Sequence, residues 1–239
     1  MIIAEIGLNH KGSEKRAQDI LKKLVKTRVD AITFQVIDRS FYKKIKKWGR
    51  PLKKEFYKFA IDFGHKSKKK IGFAVTDQNM VEFLDKNGAD FWKLLSRYTS
   101  KKSLLKKLIK TNKPLFLSTG TLNEQEIIKF SKELQNVRFI HTHLSQNIED
   151  SNLNAITKLK KITKRKIAFG LHCSDLKVLY MSLAFSPSDI FFYVKENKKE
   201  EYPDDKHAVN IDKVNDLLTN LVKLKRALGS GIKKGEINK

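Results

Sequence analysis

Eight short apolar runs, each followed by an amphipathic stretch of helical period, divide this chain from end to end. The runs are Ile2–Ile6, Asp30–Val36, Lys70–Val75, Asp90–Leu95, Pro114–Leu117, Val137–His143, Lys166–Leu171 and Ile190–Val194. The stretches between and after them are Glu14–Thr27, Pro51–Phe63, Gln78–Lys86, Lys101–Lys110, Asn123–Leu134, Leu153–Ile162, Ser174–Ala184 and Ile211–Leu228. Leu21, Leu24 and Val25 share one face of the first helix, and Phe56, Phe59, Ala60 and Phe63 fall at i, i+3, i+4 and i+7 in the second. Asn87-Gly88 closes a helix, Gly229 ends the last, and Asn123 suits an N-cap. Continuous apolar runs suit parallel strands covered on both faces. The pattern predicts an α/β chain folded as a single-domain (β/α)8 TIM barrel. An open doubly wound sheet is the alternative, and eight regular units favour closure. The barrel is expected over residues 1–229, with a polar tail over 230–239.

A chain of 239 residues with 40% hydrophobic content suffices for one such core. No apolar stretch approaches the roughly 20 residues that span a bilayer. The N-terminus lacks the basic segment of a signal peptide, and Cys173 is the only cysteine, so a cytoplasmic protein without an internal disulfide is expected. The formal charge of +24 admits a nucleic-acid partner. Most of the basic residues are lysines, scattered in pairs on helices, whereas base readout favours arginine. A solvated lysine surface is the favoured reading, with a field that would steer an anionic substrate. Arg39–Arg50 carries Phe41, Tyr42 and Trp48 among lysines, and reads either as a lid over an anion or as a basic loop.

The first strand holds a carboxylate, Glu5, in an apolar run, followed by Gly7, Asn9, His10 and Gly12. Burying a lone acid is costly without a partner or a task. In a barrel, the C-terminal strand ends carry the chemistry. A satisfied glutamate before a polar turn is one reading, and a catalytic mouth is the other. Later strand ends contribute Thr33, Gln35, Thr76, Lys93, Ser96, Tyr98, Ser118, Thr119, His141, His143, His172, Lys195 and Glu196. Lys93 interrupts Phe91-Trp92-Lys93-Leu94-Leu95-Ser96, so it is ion-paired, holds an anion or snorkels at the rim; we favour the anion. The small hydroxyls and glycine of Ser118-Thr119-Gly120 let backbone N–H groups approach a phosphate.

Ala4-Glu5-Ile6-Gly7-Leu8-Asn9-His10-Lys11-Gly12-Ser13 resembles the opening motif of the sialic-acid (N-acetylneuraminate) synthase family. Asp30–Gln35, Phe73–Thr76, Phe91–Ser96, Lys113–Gly120 and Asp205–Asn210 resemble later segments of the same family, in order. The resemblance implies a TIM barrel that condenses phosphoenolpyruvate with an N-acylated amino sugar. In that reaction C3 of phosphoenolpyruvate attacks the open-chain aldehyde, polarised by a divalent metal (manganese or magnesium). Water then attacks C2 and phosphate leaves. Carried onto this chain, Gln35, Thr76, Lys93, Ser96 and Ser118 would hold phosphoenolpyruvate, and Glu5 and Lys93 would be catalytic. Asn9, Tyr98 and Asp205 would meet the sugar.

The departures fall at the family's metal and sugar positions. Thr33 replaces a phosphate-binding lysine, and Tyr98 stands where the family has an acid. The strand-seven metal histidine is displaced in Gly170-Leu171-His172-Cys173-Ser174-Asp175. On strand eight, Phe192-Tyr193-Val194 replaces a Glu-(Lys/Arg)-His motif, which puts Val194 where a ligand is expected. The family's Asn-x-Tyr-Pro is replaced by Leu144–Asn147. A rebuilt metal site would use His141, His143 and His172; the favoured alternative keeps His141 as a core residue and His143 at the rim, without a metal. The family's C-terminal antifreeze-like domain, which reaches the partner subunit's site, has no counterpart here, so a homodimer or a separate chain supplying that domain is the expected partner. The alternative function is a catalytically degenerate barrel that binds an anionic sugar or a partner in surface-polysaccharide biosynthesis.

Overall fold

Strands that are apolar on both faces need cover on both sides, and a closed parallel barrel ringed by helices provides it. The computed structural model describes residues 1–44, 49–232 and 235. Its strands are β1 Ile2–Gly7, β2 Ala31–Val36, β3 Lys70–Val75, β4 Phe91–Leu94, β5 Leu115–Ser118, β6 Val137–His141, β7 Ile167–Gly170 and β8 Ile190–Lys195. Each pairs in parallel with the next, and β8 pairs with β1 to close the barrel. The expected (β/α)8 barrel is the fold observed. A short β9, Val209–Asn210, pairs with the upper end of β8.

The helices are α1 Glu14–Leu24, α2 Arg39–Lys44, α3 Lys54–Lys66, α4 Val81–Lys86, α5 Lys102–Lys110, α6 Glu124–Glu133, α7 Asn154–Thr163, α8 Lys177–Met181 and α9 Val214–Ala227. Ser13 caps α1, and Asn123 forms a reciprocal capping box with Glu126 at the start of α6. The buried stripe of α3 is rotated from the expected one: Phe56, Tyr57, Ala60, Ile61 and Gly64 face the barrel, while Phe59 and Phe63 are half-buried. The stretch expected as one helix over Ser174–Ala184 is α8 followed by a 3-10 turn, Ser182–Phe185. In Arg39–Arg50, α2 brings Tyr42 down onto Leu8 and Ile37; Trp48 lies outside the described residues, as does most of the tail beyond residue 232.

Two apolar layers result. The larger lies between the strands and the helices. The smaller fills the barrel interior with Ile3, Ala31, Phe91, Phe116, Ile140, Ala168 and Phe191. Alternation along each strand sends the next inward residue to the level above this plug. That level is polar: Glu5, Thr33, Lys93, Ser118 and Tyr193.

Candidate active site

Strand register brings the polar layer together. Glu5 on β1 lies beside Thr33 on β2 and beside Tyr193 on β8. The Lys93 side chain crosses from β4, and its Nζ lies 2.7 Å from both Glu5 oxygens. The two side chains are 3% and 2% exposed, so each charge is compensated by the other instead of by water. Thr33 Oγ1 donates to Glu5 Oε1 at 3.3 Å. The ammonium also sits 5.2 Å from the Phe191 ring centre and 5.5 Å from that of Tyr193. Of the sequence readings for Lys93, the ion pair is what the structure contains.

Above this pair is a cluster that joins the expected Gln35 and His172 to three residues that sequence reading missed as site residues, Tyr193, His207 and Asp204. Gln35 Nε2 donates to the Tyr193 hydroxyl at 3.0 Å. The His207 ring stacks on His172 at 4.8 Å with 27° between planes and meets Tyr193 edge-on at 5.0 Å. Burial and the nearby Lys93 ammonium hold His207 down at about 4, and burial puts His172 well below the imidazole range. Burial next to the Glu5 carboxylate pushes the Tyr193 phenol well up. Both imidazoles and the phenol are therefore neutral near neutral pH. Asp204 completes the cluster. Gly7, at φ +56, leaves room for it: a Cβ there would stand 2.7 Å from Asp204 Oδ2 and 2.8 Å from Tyr193 Cε1.

The segment carrying Asp204 and His207 is tied to the first βα loop. Asn9 donates from Nδ2 to the Val194 carbonyl at 2.8 Å, and its Oδ1 accepts the Asp204 N–H at 3.1 Å. Arg16 pairs with Glu196 at 3.0 Å and with Glu200 at 2.8 Å, and Lys11 meets Glu200 at 2.9 Å. His10 is buried, accepts the Gly12 N–H at Nδ1, and is lowered to about 4 by burial and then by Arg16.

Two expectations are corrected, those for Asp205 and for the rebuilt histidine site. Asp205 points away from the interior into an ion pair with Lys195 at 2.6 Å, and its neighbour Asp204 is the inward acid. Val194 belongs to the outer core; Tyr193 is the strand-eight residue that faces the site. His141, His143 and His172 do not converge. Ile140 fills the interior, so His141 and His143 point to the helix side, where both meet Ser151, while His172 faces inward. Among the described residues no group of three or more His, Cys, Asp or Glu side chains is placed to hold a metal ion. His172 and His207 are stacked, so their in-plane lone pairs run side by side and do not meet at one point. Among the described residues the donor set does not fit a site metal.

The remaining candidates divide between contact and scaffold. Ser118 Oγ is enclosed and makes no hydrogen bond among the described residues. Ser96 Oγ accepts the Gly120 N–H at 2.9 Å, which ties the β4 and β5 ends together. Thr76 Oγ1 accepts the Asp38 N–H at 3.1 Å. Asn9 has both ends of its amide engaged within the protein. Tyr98 lies on a 3-10 turn packed against the outer core, with the Lys101 ammonium 4.6 Å from its ring centre.

Residues 20–233 match the profile of the NeuB family. The chain belongs to that family. It is 30% identical over 248 residues to the uncharacterized protein MJ1065 of Methanocaldococcus jannaschii, covering 97% of this chain and 73% of the relative. This NeuB-family chain is also 26% identical over 263 residues to the N,N'-diacetyllegionaminic acid synthase of Campylobacter jejuni, covering 98% and 79%. Among solved structures, an N-acetylneuraminic acid synthetase from Leptospira borgpetersenii superposes with a TM-score of 0.88 at 21% identity, over 98% of this chain and 87% of that one. At that identity the superposition speaks for the barrel alone. No helix among the described residues is long and apolar enough to cross a membrane.

Proposed function

We propose that this NeuB-family chain condenses phosphoenolpyruvate with an N-acylated amino sugar, forming a nonulosonate of the sialic-acid type and releasing phosphate. The observation that carries the reading is the buried Lys93–Glu5 pair, set on an apolar plug at the C-terminal mouth of the barrel. Relatives named as legionaminic acid and pseudaminic acid synthases support it. Lys93 and Ser118 bind the anionic substrate, the first by charge and the second through its free hydroxyl. Gln35, Thr76 and Ser96 shape that side of the site. Glu5, held by Lys93 and Thr33, orients the sugar. The substrates are soluble, which suits a cytoplasmic enzyme.

Calorimetric titration of phosphoenolpyruvate into the wild type, Lys93→Ala and Ser118→Ala tests the binding half. The expected result is a loss of affinity of about tenfold or more for Lys93→Ala and a smaller one for Ser118→Ala. Phosphate release on adding N-acylated mannosamines and related amino sugars tests the chemistry. No binding to the wild type overturns the reading. Binding without phosphate release from any sugar favours the degenerate barrel.

A further inference from the structure

Asp204 is a carboxyl group whose environment the fold has built but left incomplete. The Asn9 amide fixes its backbone, and Gly7 gives it space against β1. Its Oδ2 is enclosed and makes no hydrogen bond among the described residues, while 18% of the side chain remains accessible. Glu5 faces it from β1, Lys93 from β4, Tyr193 from β8 and His207 from its own segment. His207 Nε2 lies 3.9 Å from Asp204 Oδ1 and likewise lacks a hydrogen bond among the described residues. With Gln146 Nε2 donating to His207 Nδ1 at 3.2 Å, the neutral ring carries its proton on Nε2. An enclosed carboxylate beside another carboxylate is costly, and a protonated carboxyl is not. Burial and then the Glu5 charge raise Asp204 to about 7, against the opposing pull of Lys93 and the Leu8 N–H. The two orphaned atoms belong to one cluster, His207 Nε2 lying 3.9 Å from the other oxygen of the same carboxyl group.

Resting on the synthase reading above, we propose that Asp204 is the general acid of the condensation, giving its proton to the aldehyde oxygen of the amino sugar while the His207 Nε2–H donates a hydrogen bond to the same oxygen. This supplies the carbonyl polarisation for which the described residues offer no converging metal donors. As C3 of phosphoenolpyruvate bonds to the aldehyde carbon, the carbonyl π pair moves to oxygen and takes the Asp204 proton. Water then adds to C2 and its proton returns to Asp204. The C2–O bond to phosphate breaks as C2 becomes a ketone, and the hydroxyl proton leaves with phosphate. Asp204 thus ends as it began.

The test combines an activity-independent readout with kinetics. Difference infrared spectra across neutral pH are expected to show the C=O band of a protonated carboxyl, titrating near the value above and missing from Asp204→Asn. Asp204→Asn should bind phosphoenolpyruvate like the wild type, which also certifies its fold, and lose about 10²–10⁴-fold in kcat. Asp204→Glu should recover part of it, and wild-type kcat should fall as pH rises through neutrality. Phosphate release should survive a chelator. Absence of the infrared band overturns the assignment. So does activity that chelator abolishes and manganese restores, an outcome that leaves the synthase reading standing. No phosphate release from the wild type with any amino sugar, with or without manganese, overturns the synthase reading and the role of Asp204 with it.

Discussion

Lys93 on β4 reaches Glu5 on β1 across the barrel interior, with its ammonium 2.7 Å from both carboxylate oxygens. The pair sits directly on the apolar plug, so neither charge has water to fall back on. The barrel floor and the candidate site are therefore one unit energetically.

Breaking the pair should destabilise the barrel strongly. Glu5→Leu or Lys93→Met alone leaves a buried charge uncompensated, at a cost of about 3–5 kcal/mol. The double variant replaces both charges by apolar groups and should recover most of that loss. Urea unfolding of the four proteins measures the coupling; additive losses would mean that the two residues act independently.

Gly7→Ala should damage the site from a position that carries no chemistry. The residue sits at φ +56, and the new Cβ would overlap Asp204 Oδ2 and the Tyr193 ring. Strain and displacement together should cost about 2–4 kcal/mol. Hydrogen exchange over residues 202–208 should rise as the β8–β9 segment loosens. Unchanged exchange there would contradict the contact.

Asp204 should leave a signature in the pH dependence of stability. Its folded value is raised from 3.8 to about 7, so between those values the native state holds a proton that the unfolded chain has released. Its contribution is complete below the unfolded value and is lost as pH rises to about 7. His10 and His207, lowered to about 4, act in the opposite sense and remove stability as pH falls below about 6.5. Comparison with Asp204→Asn isolates the acid. The variant should be more stable by roughly 2–4 kcal/mol at about pH 8, with the difference shrinking toward about pH 4. A pH-independent difference would show that Asp204 does not titrate in this window.

Asn123→Ala serves as a control remote from the polar layer. It removes the capping box at the start of α6. The expected loss is about 1 kcal/mol, with phosphoenolpyruvate affinity unchanged. A parallel loss of affinity would couple the α6 terminus to the mouth.

The succession of eight apolar runs and amphipathic stretches determined the barrel, because helix and strand periods are written in neighbouring residues. The same local reading singled out Glu5 and Lys93, since a charge inside an apolar run must find a partner. Asn123 was legible too, because a cap depends on three or four adjacent positions. Partnership across the barrel was not legible: Lys93 meets Glu5 88 residues away in sequence. Tyr193 was overlooked beside Val194, and Asp204 beside Asp205, because adjacent residues point to opposite sides and only the register of β8 and the turn after it decide which enters. His141 and His143 share a face, as alternation requires, but the closed sheet turned that face toward the helices and His172 toward the interior. Local periodicity specifies the elements and their alternation. Which face is inside, and which distant groups share it, follows from closure of the sheet, and that is a property of the whole chain.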